Sequence, residues 1–459
     1  MPNAFAYLVF YSWPIVVLCF LFRYPTKKAI FISITLALLF LPSAFVINLP
    51  LLPHLDKDSI TGMSLVAFLF LQRKKFRIFK PGLVTKLFIG YIIVIIISTQ
   101  LNAESILVGK KFIQGLTYHD AFSTIVMFIL YTMPFFLGRF FSSSVKDTEV
   151  FFKALVLICL VYTLPMLYEL RMSPQLHYLA YGYQPSQFVQ EIRENGYRPM
   201  VFIGHGLGLA FWLSTCILAA AALLKNKIRA TIISPRVVVG YLFVILIFCK
   251  TWSALVYAIL GTLFIYKLSP SKQVKWSFLI AALVIVYPVT KVAGIFPDDQ
   301  IISSIRQYSP ERADSLEFRF VNENQLLVRA LEKPFFGWGG WGRDRIYSAW
   351  NGQDLSVTDG KWIIELGENG FIGFLFWYAI LLAPLYYAHK TIKYVSEPKD
   401  QVFLASLAVI LAVGILDSIP NTGMGPMHLF LAGALLGQSE FLKQQKYLLD
   451  DEEKKFKRG

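Results

Sequence analysis

Apolar residues come along this chain in blocks of about 15 to 22, set apart by short basic or polar stretches. A helix needs about 20 apolar residues to cross the hydrocarbon, and it closes all its backbone hydrogen bonds within itself. The blocks 4–22, 29–49, 60–71, 84–100, 121–138, 151–170, 201–224, 237–249, 252–267, 276–293, 369–388, 402–418 and 424–438 predict thirteen spans. The third, eighth and last are short, which suits a tilted, kinked or re-entrant segment as well as a full crossing. The pattern therefore predicts an all-α polytopic membrane protein of about 12–13 transmembrane helices. It excludes a soluble globular enzyme, a disordered chain and a fibre.

Composition agrees. Of 459 residues, 56% are apolar and 16% charged, against roughly 25% charged in soluble domains. The net charge of +15 is explained by topology. Arg23, Lys27 and Lys28 share one side with Arg73, Lys74, Lys75, Arg77, Lys80 and Lys86. Arg139, Lys146, Lys153, the 225–236 and 267–275 clusters, Lys390, Lys393, Lys399 and the tail join them. In a thirteen-span topology that side holds 28 of the 44 Lys and Arg but 9 of the 29 Asp and Glu. The positive-inside rule makes it the cytoplasm, with the N-terminus outside and the C-terminus inside. A nucleic-acid partner is set aside on that ground. No basic region precedes the first block, so it does not read as a cleaved signal peptide. Cys19, Cys159, Cys216 and Cys249 lie in or at the end of apolar blocks without a CxxC pair, so neither a disulfide framework nor a zinc site is expected.

The chain divides into 1–293, ten spans with short loops; 294–368, a long polar, partly helical loop; 369–438, the last spans; and 439–459, a charged tail. The tail is expected to be a solvated helix or disordered. Segment 294–368 carries 12 acidic and 8 basic residues and four of the nine tryptophans. With the second external loop, 171–200, it is where chemistry is expected, since long connections in compact bundles usually serve a function.

Within 308–333, Ser309-Pro310-Glu311 reads as a helix start. Leu316, Phe320, Leu327 and Leu331 form an apolar stripe at helical spacing. Arg312 and Arg319 share a face beside it, and Glu323 is placed to pair with Arg319. The bland reading is an amphipathic helix on the bundle; the sharper one is a grip on an anion, because guanidinium matches phosphate oxygens bidentately. The run Gly337-Trp338-Gly339-Gly340-Trp341-Gly342 offers close backbone approach and flat faces for a sugar, or an interfacial aromatic belt. Asp359 reads as a helix N-cap or as a catalytic carboxylate. Arg198 and His205 bracket the start of the seventh span, seven residues apart and on one face if helical. His205 alone would be an ordinary hydrogen-bonding residue. Lys250, at the turn between the eighth and ninth blocks, snorkels or adds a third cation. No P-loop, GxGxxG, HExxH or GxSxG occurs, and 294–368 contains no His or Cys.

The run Arg312…Arg319…Ala330-Leu331-Glu332-Lys333-Pro334-Phe335-Phe336-Gly337-Trp338-Gly339 resembles the O-antigen ligase and polymerase superfamily. So do Arg198-Pro199…Phe202…His205 and Lys250-Thr251-Trp252-Ser253-Ala254, where relatives usually have a serine–arginine pair. The closing Val357-Thr358-Asp359-Gly360…Trp362…Gly367…Gly370…Gly373 is most similar to the Wzy-type exopolysaccharide polymerases. The resemblance covers about 198–375. It implies a GT-C-like, metal-independent glycosyltransferase without a cofactor, at the periplasmic face of a bacterial inner membrane. Its donor would be an oligosaccharide on undecaprenyl pyrophosphate, moved onto the next lipid-linked repeat unit. Besides that substrate, membrane lipid and a chain-length regulator protein are the implied partners. Arg198, Arg312, Arg319 and Lys250 would hold pyrophosphate, and Trp338 and Trp341 the sugar. Asp359 first, His205 second, would take the acceptor proton. Ligases carry a histidine where Asp359 stands, which weighs against ligation to lipid A–core. A flippase or transporter for the same glycans is the other rival.

Overall fold

The computed structural model describes residues 1–48, 54–71, 81–193, 196–422 and 424–456. Arg73, Lys74, Lys75, Arg77, Lys80, Lys457 and Arg458 of the basic-side pattern lie outside the described residues. The chain folds into α1 (Ala4–Arg23), α2 (Thr26–Phe40), α3 (Lys57–Leu71), α4 (Leu83–Gln100), α5 (Tyr118–Phe141), α6 (Lys146–Met172), α7 (Leu176–Tyr181) and α8 (Gly206–Lys225). There follow α9 (Pro235–Phe248), α10 (Trp252–Lys267), α11 (Pro270–Val292), α12 (Asp298–Arg306), α13 (Pro310–Leu331), α14 (Lys361–Thr391), α15 (Pro398–Asp417) and α16 (Pro426–Phe456). The strands are two small antiparallel hairpins, β1 (Ile106–Val108) with β2 (Lys111–Ile113), and β3 (Ile192–Arg193) with β4 (Gly196–Tyr197).

Every apolar block has its helix. Among the described residues, eight helices are long and apolar enough to cross a membrane, and α9 and α10 are shorter apolar helices. Large apolar side chains such as Ile89, Ile93, Val244 and Ile247 are exposed, as lipid-facing positions require. The protein is an all-α polytopic membrane protein. At the centre run α8 and α15, whose apolar windows are 83% and 78% buried. α5 packs backbone to backbone on α16. There Gly138 faces the backbone of Phe430, while Gly433 and Gly437 face the backbone of Phe135 and Arg139. A Cβ at Gly433 would stand 1.8 Å from the Phe135 carbonyl oxygen. Small residues four apart let two helix backbones touch where no hydrophobic gain drives them together.

Three boundaries differ from the sequence reading. α2 stops at Phe40, before Pro42, so 41–48 is not span. The seventh span begins at Gly206, not at 201. The eleventh begins at Lys361 and breaks at Gly370, whose φ of 65° and ψ of −173° are not helical. The tail continues α16 as helix to Phe456.

The break in α14 is sealed by the Gly-Trp run. Trp338 and Gly339 N–H donate to the carbonyls of Gly367 (2.8 Å) and Glu368 (2.8 Å). Phe371 and Ile372 N–H donate to Pro334 (2.7 Å) and Phe335 (3.2 Å). Helix-breaking residues are tolerated in a bundle when the freed backbone groups find partners. A Cβ on Gly370 would lie 2.3 Å from the Phe335 carbonyl carbon, so only glycine fits. A buried network sits just below: Lys361 pairs with Glu365 at 2.7 Å. Tyr91 OH donates to Glu365 at 2.6 Å and Asn369 Nδ2 at 3.2 Å.

Candidate functional site

The loop end of the bundle gathers the start of α8, the segment leading into α14 and the end of α15 around a cavity of about 360 Å³. His205, Asp359, Asp417, Asn421 and Thr422 line its polar wall, and Ile203, Leu207 and Phe211 its apolar one. Arg319 approaches Asp359 from α13. Its Nε stands 3.4 Å from Asp359 Oδ2, and its terminal N–H donates to the Pro420 carbonyl at 3.0 Å. Asp359 is not the N-cap of α14, since Gly360 occupies that position. Its carboxylate faces the cavity and Arg319 instead.

Arg198 and His205 are brought together, though not by a helix. Residues 198–205 form an extended stretch and a turn, with Val201 at φ 46°. The helical face proposed for the pair is therefore corrected. Pro199, Gly204 and Gly206 break the helix locally, and buried Glu169 fixes the turn by accepting N–H from Met200 (2.9 Å) and Val201 (2.8 Å). Fully buried Glu191 then holds both ends of it. It accepts from Arg198 Nε at 2.9 Å and from Gly206 N–H at 3.2 Å, and lies 3.8 Å from His205 Nε2. His205 is the N-cap of α8: its Nδ1 accepts the Leu207 N–H at 3.1 Å. That bond puts the ring proton on Nε2, directed at Gln190 Oε1, 3.2 Å away. Burial disfavours the imidazolium and lowers the His205 pKa. Glu191 and Asp359 oppose that shift, while Arg198 and Arg319 add to it.

Lys250 and Arg312 flank the neighbouring turn between α9 and α10. Lys250, at φ 52°, lies against Gly196 of the β3–β4 hairpin, where a Cβ would meet its Nζ at 2.5 Å. The Arg312 guanidinium stacks on Trp252 with its carbon 4.4 Å from the ring centre. The pairing of Arg319 with Glu323 is corrected: Glu323 accepts from Tyr287 OH at 2.8 Å and from Trp362 Nε1 at 3.3 Å, and lies 3.9 Å from Lys291. Arg319 turns instead to Asp359 and the Pro420 carbonyl. Ser309 occupies the N-cap of α13 but its hydroxyl makes no cap bond.

Trp338 and Trp341 do not line this cavity. Trp338 is buried; its Nε1 donates to the Arg329 carbonyl, and the Arg329 guanidinium lies 3.5 Å from its ring centre. A covered face cannot receive a sugar, so that role is withdrawn for Trp338. Trp341 is exposed, at φ 55°. The glycines beside them serve the α14 clasp.

Glu169, Glu191, Asp417 and Asn421 were missed by the sequence reading. Asp417 is buried at the last turn of α15, accepts from Asn421 Nδ2 at 2.7 Å and is hydrogen-bonded to Tyr257. Its signal was present, because a carboxylate at the end of an apolar span is costly unless it has work to do. Glu169 carried the same signal, whereas nothing local marked Glu191. Among the described residues no three His, Cys, Asp or Glu side chains group as a metal site. Comparison with protein-family models and with curated proteins finds no match.

Proposed function

We propose that this protein is a polysaccharide polymerase that moves a growing glycan from undecaprenyl pyrophosphate to an acceptor sugar hydroxyl on another lipid-linked repeat unit. The setting this reading requires is the periplasmic face of a bacterial inner membrane. One observation carries the reading: Asp359, His205 and Asp417 line one cavity above an apolar bundle, with Arg319 paired to Asp359 behind its wall and Arg198 held near His205 by Glu191.

In the reaction the acceptor hydroxyl oxygen bonds to the anomeric carbon. The bond from that carbon to the diphosphate breaks, and the diphosphate leaves with the electron pair. Fixed guanidinium groups stabilise the charge that develops on it, usually the largest catalytic contribution. Arg319 is suited to this because its tie to Asp359 is loose, at 3.4 Å. Asp359 accepts the hydroxyl proton. His205 is the poorer base, since Nδ1 is committed to the helix cap and Nε2 bears the proton; it serves as a hydrogen-bond donor. Arg198, Arg312 and Lys250 contribute positive potential around the same end.

The test is turnover of a defined undecaprenyl-pyrophosphate-linked repeat by the purified full-length protein. A ladder of longer lipid-linked chains, formed equally well in EDTA and lost in Arg319→Ala, supports the proposal. Absence of any chain growth with a folded protein overturns it. A carrier for the same glycans is the second reading, favoured by the break in α14, because broken helices mark transporter sites. Transbilayer movement of the lipid without chain growth would establish that reading instead.

A further inference from the structure

The opposite end of α8 carries a different site. Twenty residues, about 30 Å of helix, separate His205 from Lys225. There a cavity of about 720 Å³ opens between the α8–α9 connection and the end of α10, lined by Lys225, Lys227, Arg229, Arg236 and Tyr266. Three other cations at this end are paired: Lys27 with Asp147, Arg139 with Glu440, Lys153 with Glu149. Here they are not. From 195 to 297 the chain contains ten Lys and Arg and no Asp or Glu. Among the described residues no carboxylate from elsewhere reaches Lys227, Arg229 or Arg236. Lys225 alone is tied down, donating to the Ile265 carbonyl at 2.6 Å.

Four converging cations repel one another unless an anion joins them. The surroundings say which kind. Ile232 and Ile233, in the same connection, are 97% and 46% exposed, as are Val237 and Val244 along α9 and Leu260 and Leu263 along α10. Such a surface belongs in acyl chains, so the cations sit at headgroup depth, where each contributes to holding an anionic lipid. A soluble anion would have no use for the apolar wall.

We propose that the cavity between the α8–α9 connection and the end of α10 binds the phosphate of an anionic phospholipid, with Lys227, Arg229 and Arg236 around the headgroup. The acyl chains lie along the exposed faces of α9 and α10.

Native mass spectrometry of the full-length protein in neutral detergent tests this, with phosphatidylglycerol, phosphatidylcholine or inorganic phosphate added. Phosphatidylglycerol is expected to be retained preferentially. The double variant Arg229→Gln, Arg236→Gln loses roughly tenfold to thirtyfold of that retention, while Lys390→Gln with Lys393→Gln keeps it. Both arginines are exposed, so their removal leaves the core intact. As a measurement free of any variant, the wild-type preference for phosphatidylglycerol falls as salt is raised. Equal retention of the two lipids, full retention by the arginine variant, or displacement by equimolar inorganic phosphate would each overturn the proposal.

Discussion

Two cation–carboxylate pairs, their carboxylates six residues apart in the chain, stand at the start of α14, and they are built oppositely. Lys361 and Glu365 are 2.7 Å apart, with the carboxylate side chain 3% exposed. Tyr91 and Asn369 both donate to the other oxygen of Glu365. Arg319 and Asp359 are 3.4 Å apart, 27% and 36% exposed, and Asp359 lines a cavity. A sealed pair has no room for a substrate and serves the fold. An open, slack pair can exchange its partner for a ligand. Charge alone does not mark a site; unfilled coordination around the charge does.

The contrast is broken most forcefully from the sealed side. Glu365→Ala leaves Lys361 without its buried partner and is expected to cost about 3–5 kcal/mol, read as a large drop in the thermal unfolding midpoint in detergent. Arg319→Ala should do the reverse. It lowers turnover of lipid-linked repeats by about 10²–10³-fold while moving the midpoint little, because a half-exposed pair contributes at most about 1 kcal/mol. If the two variants behaved alike, the division between structural and functional pairs would fail. Gly370→Ala forces a Cβ into the Phe335 carbonyl at positive φ; about 2 kcal/mol of destabilisation is expected, with turnover falling only as folded protein is lost. The smallest effect is titration of His205. Its pKa is lowered from 6.5, first by burial. Below pH 6.5 the unfolded chain therefore binds more protons than the folded one, and stability is lost as the pH is lowered through that window. His205→Asn retains a capping side chain and removes the titration, so its midpoint against pH is expected to slope less.

Much of the architecture was legible because the hydrocarbon imposes a length on every apolar run. The thirteen blocks each found a helix, and the boundary drawn at 369 in fact marks the break at Gly370. Where a block failed, the reason was tertiary. Residues 201–205 are apolar enough to be span, yet Glu169, some thirty positions earlier, captures the backbone N–H groups of Met200 and Val201 at their start. The site was half legible. Arg198, Arg319, Asp359 and His205 could be picked out singly because charge near lipid is rare. That Glu191 joins two of them, and that Asp417 completes the wall, depends on chain crossings that no local spacing encodes. Trp338 misled for the same reason: a tryptophan among glycines looks available until Arg329 is seen stacked on it.

The clasp between 334–339 and 367–372 has a practical corollary for handling the protein. It staples both ends of the intervening stretch to one place, and the tip of that stretch around Trp350 is 86% exposed. A protease cut at that tip should therefore leave two fragments that stay assembled, and co-expressed pieces ending and beginning there should reconstitute the molecule.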